Sequence, residues 1–219
     1  MSAGTWLRAR TVWLPTWRLW LLLLLLAVLT TGWVMTHVHG WLAVSRPVED
    51  AKYVVVEGWT PDYVARQALD WSKQHGVKLI FTTGILFDKG AFLSNYPTYA
   101  EMCADTLKHF GADPAMVKTA PAPETKMGRT RAMAQKLKEK LDAEAIPAGE
   151  RKINIFTSGP HAFRSWMNFK RALGPGWQVG IVSVPMEGYD AAKWWQYSEG
   201  VKNVVEESMG TLFQAVVSK

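Results

Sequence analysis

Between Arg18 and Arg46 the chain carries no charged residue, and Leu19 to Val38 is a stretch of twenty mostly apolar positions that includes the run Leu21 to Leu26. At 1.5 Å per residue this predicts a helix about 30 Å long, the depth of one bilayer core. Past it the pattern changes. His39 to Asp50, with Gly40, Pro47 and two closing acids, reads as a short tether. Tyr53 to Val56 is a β-branched run suited to a strand buried on both faces, and Gly58 and Pro61 lead into a helix from Asp62 to His75. Strands are predicted at Lys78 to Thr82, Met116 to Thr119, Ile153 to Thr157 and Val179 to Val184. Helices are predicted at Thr98 to Phe110, Gly128 to Leu141, His161 to Leu173 and Glu199 to Val217. Gly84 to Tyr96 is left as a long loop and candidate lid. Strands that alternate with helices in this way predict an α/β fold. Its form is a doubly wound (Rossmann-like), mainly parallel five-stranded sheet, preceded by one transmembrane helix.

Charge sharpens the N-terminal reading. Arg8, Arg10 and Arg18 precede the apolar run with no acid among them, and Trp13, Trp17 and Trp20 on one side with Trp33 and Trp41 on the other sit where indole rings favour lipid headgroups. The positive-inside rule then leaves residues 1–18 in the cytoplasm, 19–38 as the anchor, 39–50 as the tether and 51–219 as an exported domain. In a bacterium this is a single-pass inner-membrane protein with a periplasmic domain. A cleaved signal peptide is the alternative, but the apolar run exceeds the usual 7 to 15 residues of such a peptide. The net charge of +6 falls to 22 basic against 19 acidic residues from Arg46 onward, with no Lys/Arg run, so nucleic acid is a poor partner. The lone Cys103 excludes an internal disulfide and a thiolate zinc cluster.

The dinucleotide, Walker, serine-hydrolase and zincin motifs are all absent, no metal ligand set stands out, and no cofactor is identified. In a doubly wound sheet ligands bind beyond the carboxyl ends of the strands. Those ends carry Glu57-Gly58, Thr83-Gly84, the segment from Glu124 to Thr130, and Thr157 to His161. Ser158 and Gly159 before a helix start offer hydroxyl and backbone N–H groups to an anion. Arg129 and Arg164 add charge, and His161 is the candidate acid/base. A carboxylate directly after a buried strand, Glu57, must reach a solvent-filled cleft or pair with a cation. His161 has a packed or capping role as its alternative, and Glu124 has a salt bridge or helix cap. Trp194, Trp195 and Tyr197 read as core, with a stacking surface for a sugar or lipid as the alternative.

Two of these segments carry a resemblance. Glu124-Thr-Lys-Met-Gly-Arg-Thr-Arg-Ala-Met-Ala134 resembles the pattern E-x-x-S-x-N-T-x-E-N-A of the YdcF/SanA/ElyC-like family, retaining Glu124, Thr130 and Ala134. Met127, Arg129 and Ala132-Met133 depart from it. Thr157-Ser-Gly-Pro-His-Ala-Phe-Arg164 is similar to that family's T-S-x-x-H-x-x-R. Tyr99 stands where the family often has glutamate. The resemblance covers about Tyr53 to Leu212 and is nearest to a membrane-anchored subgroup with an acid after the first strand. It implies a bacterial envelope protein concerned with peptidoglycan precursors or lipid carriers, with nucleotide-like binding proposed for some members.

Two classes of function follow. One is an envelope enzyme, a hydrolase or transferase. It acts on a phosphorylated, lipid-linked or sugar-containing precursor, with His161 and Glu57 catalytic and Gly58, Thr83, Gly84, Glu124, Arg129, Thr130, Ser158 and Arg164 binding. The other is a non-catalytic envelope binder or scaffold using the same cleft. A nucleotide-like or methyl-donor binder is a further alternative.

Overall fold

The computed structural model describes residues 14–87 and 95–217. The centre of the loop read as a lid, and Arg8, Arg10 and Trp13, lie outside them. The apolar run forms α1 (Trp17–Leu42), whose 26 residues contain an 18-residue stretch of mean hydropathy 2.1, long and apolar enough to cross a membrane. The remainder alternates: β1 (Tyr53–Glu57), α2 (Asp62–His75), β2 (Leu79–Gly84), α3 (Tyr99–His109), β3 (Val117–Pro121), α4 (Arg129–Ala143), β4 (Lys152–Ser158), α5 (Ala162–Leu173), β5 (Gln178–Val184) and α6 (Ser198–Val217). Two compact units result, Met1–His37 and Val38–Lys219, so the last turn of α1 belongs to the α/β unit.

The sheet order is β3-β2-β1-β4-β5 and every pairing is parallel. β1 is central and buried along its whole length, because alternate residues feed two different cores. Val55, Ile155, Ile181 and Phe81 pack against Met133, Leu137 and Leu141 of α4 and Phe169 of α5. Val54, Val56, Ile80 and Phe156 pack against Val64 and Leu69 of α2 and Leu107 of α3. Cys103 is in the second core, where burial pushes its thiol up to about 12, so it acts as a small apolar group. Strand order reverses between β1 and β4. In such sheets that reversal opens a crevice at the carboxyl edge.

The segment read as a short tether is bonded to the sheet. α1 continues to Leu42, four residues past the expected end. Arg46 then exchanges backbone hydrogen bonds with Ile181 of the edge strand β5, at 2.7 and 3.1 Å. Asn154 grips the next residues, its Oδ1 accepting from Val48 N at 2.8 Å and its Nδ2 donating to Val48 O at 2.9 Å. Its register partner is Gly180, where a Cβ would lie 2.0 Å from Asn154 Oδ1. The physical gain is a covered sheet edge. Asn154→Ala removes both grips from a fully buried position, and a loss of about 1–3 kcal/mol is expected. A lowered urea midpoint for the full chain in detergent checks it.

Candidate functional site

At the carboxyl edge β1 ends in Glu57, which is fully buried. Thr60 turns the chain there: its N–H and hydroxyl both donate to Glu57 O, at 3.0 and 2.6 Å. Beside it β4 ends at Ser158, and Gly159 takes a left-handed φ of 47° to start the short turn Gly159–His161 that leads into α5. That turn sets His161 over Glu57. Its Nε2 is 3.7 Å from Glu57 Oε2, the same oxygen that accepts from Ser165 Oγ at 2.7 Å, one turn along α5. The Trp59 ring meets the imidazole edge-on, 4.7 Å between centroids.

The other ring nitrogen is taken by a residue that motif reading did not find. His161 Nδ1 lies 2.8 Å from Glu207 Oε1 of α6. Arg164 grips the same carboxylate in bidentate fashion, Nε to Oε2 at 2.7 Å and Nη2 to Oε1 at 2.8 Å. The protons follow from this geometry. Arg164 keeps Glu207 ionised, so the short contact requires hydrogen on Nδ1, while buried Glu57 favours hydrogen on Nε2 as well. Burial works against the imidazolium, yet the two carboxylates raise His161 to about 9. Burial likewise opposes the Glu207 carboxylate, and Arg164 with His161 overcomes it, down to about 2. Glu57 is lowered in the same way against its desolvation, by His161, Thr157 and Ser165. Glu57, His161, Glu207 and Arg164 therefore form a neutral alternation of charges. Glu57 Oε1, Thr157 Oγ1 and His161 Nε2 remain without a hydrogen bond of standard geometry, so the His161–Glu57 contact at 3.7 Å is an ion pair.

Above this network is a cleft of about 520 Å³. His161, Ser158, Arg129, Thr130 and Arg164 all line it, so five of the predicted residues meet there from β4, α4 and α5. The other five do not. Glu57 is beneath His161, screened from the cleft, so as a side chain it acts through the imidazole. Gly58 and Gly84 are packing positions: a Cβ would stand 2.3 Å from Tyr99 O at the first and 2.5 Å from Ala100 N at the second. Only glycine lets the start of α3 approach the sheet, which sets Tyr99 in the cleft wall. Thr83 is fully buried and donates to Val56 O. Glu124 is exposed and is not among the lining residues.

Lys126 and Lys202 join Arg129 as exposed cations on the lining, and among the described residues none of the three makes an ion pair. Ile85, Tyr99, Met133 and Met186 supply apolar wall. Glu207 did leave a signal: it shares one stripe of α6 with buried Val204, and a carboxylate on a buried stripe calls for a cation. Among the described residues no group of His, Cys, Asp and Glu is placed to hold a metal ion. His37 stacks on Trp33, and His39 Nε2 lies 3.1 Å from Tyr189 OH.

No protein-family model, curated protein or solved structure matches the chain.

Proposed function

We propose that the chain is a membrane-anchored envelope-biogenesis protein of the YdcF/SanA/ElyC-like kind, held in a bacterial inner membrane by α1 with its α/β domain in the periplasm. Its cleft takes a phosphorylated, lipid-linked or sugar-containing precursor. One observation carries this reading: Lys126, Arg129 and Lys202 are exposed on the cleft lining and make no ion pair among the described residues, at the switch point where doubly wound sheets bind ligands. Charge-assisted contacts to phosphate are what such cations offer, and the apolar wall suits the uncharged remainder of an amphiphile.

Binding is supported more directly than catalysis. Both ring nitrogens of His161 face carboxylates, and its raised affinity for a proton makes it an acid or a fixed charge at neutral pH, not a base. Glu57, screened by that ring, is a positioning residue. Catalysis through His161 requires a ligand to displace Glu207 from Nδ1, a swap of one anion for another on the same cations. A non-catalytic binder requires no such step.

Thermal unfolding of the full chain in detergent, with phosphorylated sugars, polyprenyl phosphates and nucleotides added in turn, tests the reading. A ligand at a hundredfold its dissociation constant adds about 2.7 kcal/mol, so at least one phosphorylated compound should raise the midpoint while its dephosphorylated counterpart does not. No shift with any of them contradicts the assignment.

A further inference from the structure

α6 presents two unlike faces. Buried Val204 and Glu207 turn inward, and Gln214 exchanges amide hydrogen bonds with Asn168 of α5 at 3.0 and 2.8 Å. Opposite them, Val201, Val205, Met209, Leu212, Phe213 and Val216 stand exposed, from 39% at Val201 to 74% at Val216. Their spacing traces one stripe at 100° per residue. From Ser208 to Ser218 the sequence has no charge at all. Single exposed apolar residues need no explanation, but six in a row along one helix do.

The stripe begins where the chain enters the α/β unit. Tyr197 O accepts the first bond of α6, from Val201 N at 2.9 Å. The Tyr197 ring packs 6.5 Å from that of Tyr189, and Tyr189 OH lies 3.1 Å from His39 Nε2 in the last turn of α1. Exposed Trp41 and Tyr197 flank this junction, and both residue types favour the headgroup level of a bilayer. We infer that the exposed face of α6 lies on the bilayer surface, its apolar side chains at the boundary between headgroups and acyl chains, as a second membrane contact beside the α1 anchor. The inference rests on reading α1 as that anchor. Tethering keeps the bilayer surface at high effective concentration, so a stripe too weak to bind lipid alone is held there. Lys202 and Glu206 on the same helix line the cleft, which brings its mouth to the level from which a lipid-linked molecule is reached.

The test uses single cysteines in the full chain, since buried Cys103 stays unlabelled while folded. Leu25→Cys in α1, Met209→Cys and Phe213→Cys on the stripe, and Glu139→Cys at an exposed position of α4 each carry an environment-sensitive fluorophore in phosphatidylcholine–phosphatidylglycerol vesicles. Spin-labelled lipids, with the quencher high on the acyl chain, are then introduced. Quenching by about half or more at 25, 209 and 213, with little at 139, is expected. Quenching at 25 alone overturns the inference and leaves the anchor standing. No quenching at 25 removes the anchor and the inference with it. Disulfide cross-linking of Met209→Cys between copies, with no quenching there, assigns the face to a second copy of the chain and overturns the lipid contact.

Discussion

His161→Ala is expected to destabilise the α/β unit by about 3–5 kcal/mol, well beyond what the lost packing of one imidazole accounts for. The reason is Glu57. It is fully buried at the end of the central strand, and His161 is the cation beside it, 3.7 Å away. Removing one partner of a buried pair leaves the other as an uncompensated charge, whose cost is of that size. Ser165 still donates to it, but one neutral hydroxyl does not replace a cation. Adding Glu57→Gln removes the stranded charge, so the double variant should recover at least about half of the loss, a coupling that independent sites do not show. Urea unfolding of the full chain in detergent, followed by near-ultraviolet circular dichroism, reads both values. Equal losses in the single and double variants contradict the pairing.

The second large effect is on pH dependence. His161 rises from 6.5 to about 9 in the fold, so its contribution is fully present below pH 6.5 and is lost as the pH climbs through 9. Glu207 falls from 4.5 to about 2, so its contribution is present above pH 4.5 and is lost as the pH drops through 2. Each shift corresponds to a contribution on the order of 3 kcal/mol. A stability plateau between roughly pH 4.5 and 6.5 is expected, with a decline on either side. Midpoints measured from pH 3 to 10 check it. The alkaline decline should vanish in the His161→Ala/Glu57→Gln double variant, which no longer has the imidazole.

The sheet was legible because its chemistry is local. Val54 to Val56 can satisfy three successive β-branched side chains only between two cores, and Pro61 with Gly76 bounds α2 at the expected residues. The docking of residues 46–48 was not legible. It uses backbone groups on a sheet edge, which leave no side-chain pattern, and Arg46-Pro47 looks like any linker. The site divided along the same line. Ser158, His161 and Arg164 follow one strand and open one helix, so their convergence is set by connectivity alone. Gly58 and Gly84 carry the same turn signal whether they admit a ligand or, as here, the backbone of Tyr99 and Ala100. Glu57 was recognisable as a carboxylate needing a partner, but its place beneath His161 depends on the turn at Gly159. Glu207, nearly fifty residues beyond His161, was reachable only through the burial stripe of α6.

Isothermal titration of the full chain in detergent tests the central claim most directly. It uses the phosphorylated compound that stabilises the protein most, in parallel with the Arg129→Gln/Lys202→Gln double variant. Hydrogen bonds to charged groups contribute about 1.5–3 kcal/mol each, so the variant should bind at least about a hundredfold more weakly while its unfolding midpoint without ligand stays unchanged. Undiminished affinity in the double variant contradicts the assignment of this cleft as the phosphate site.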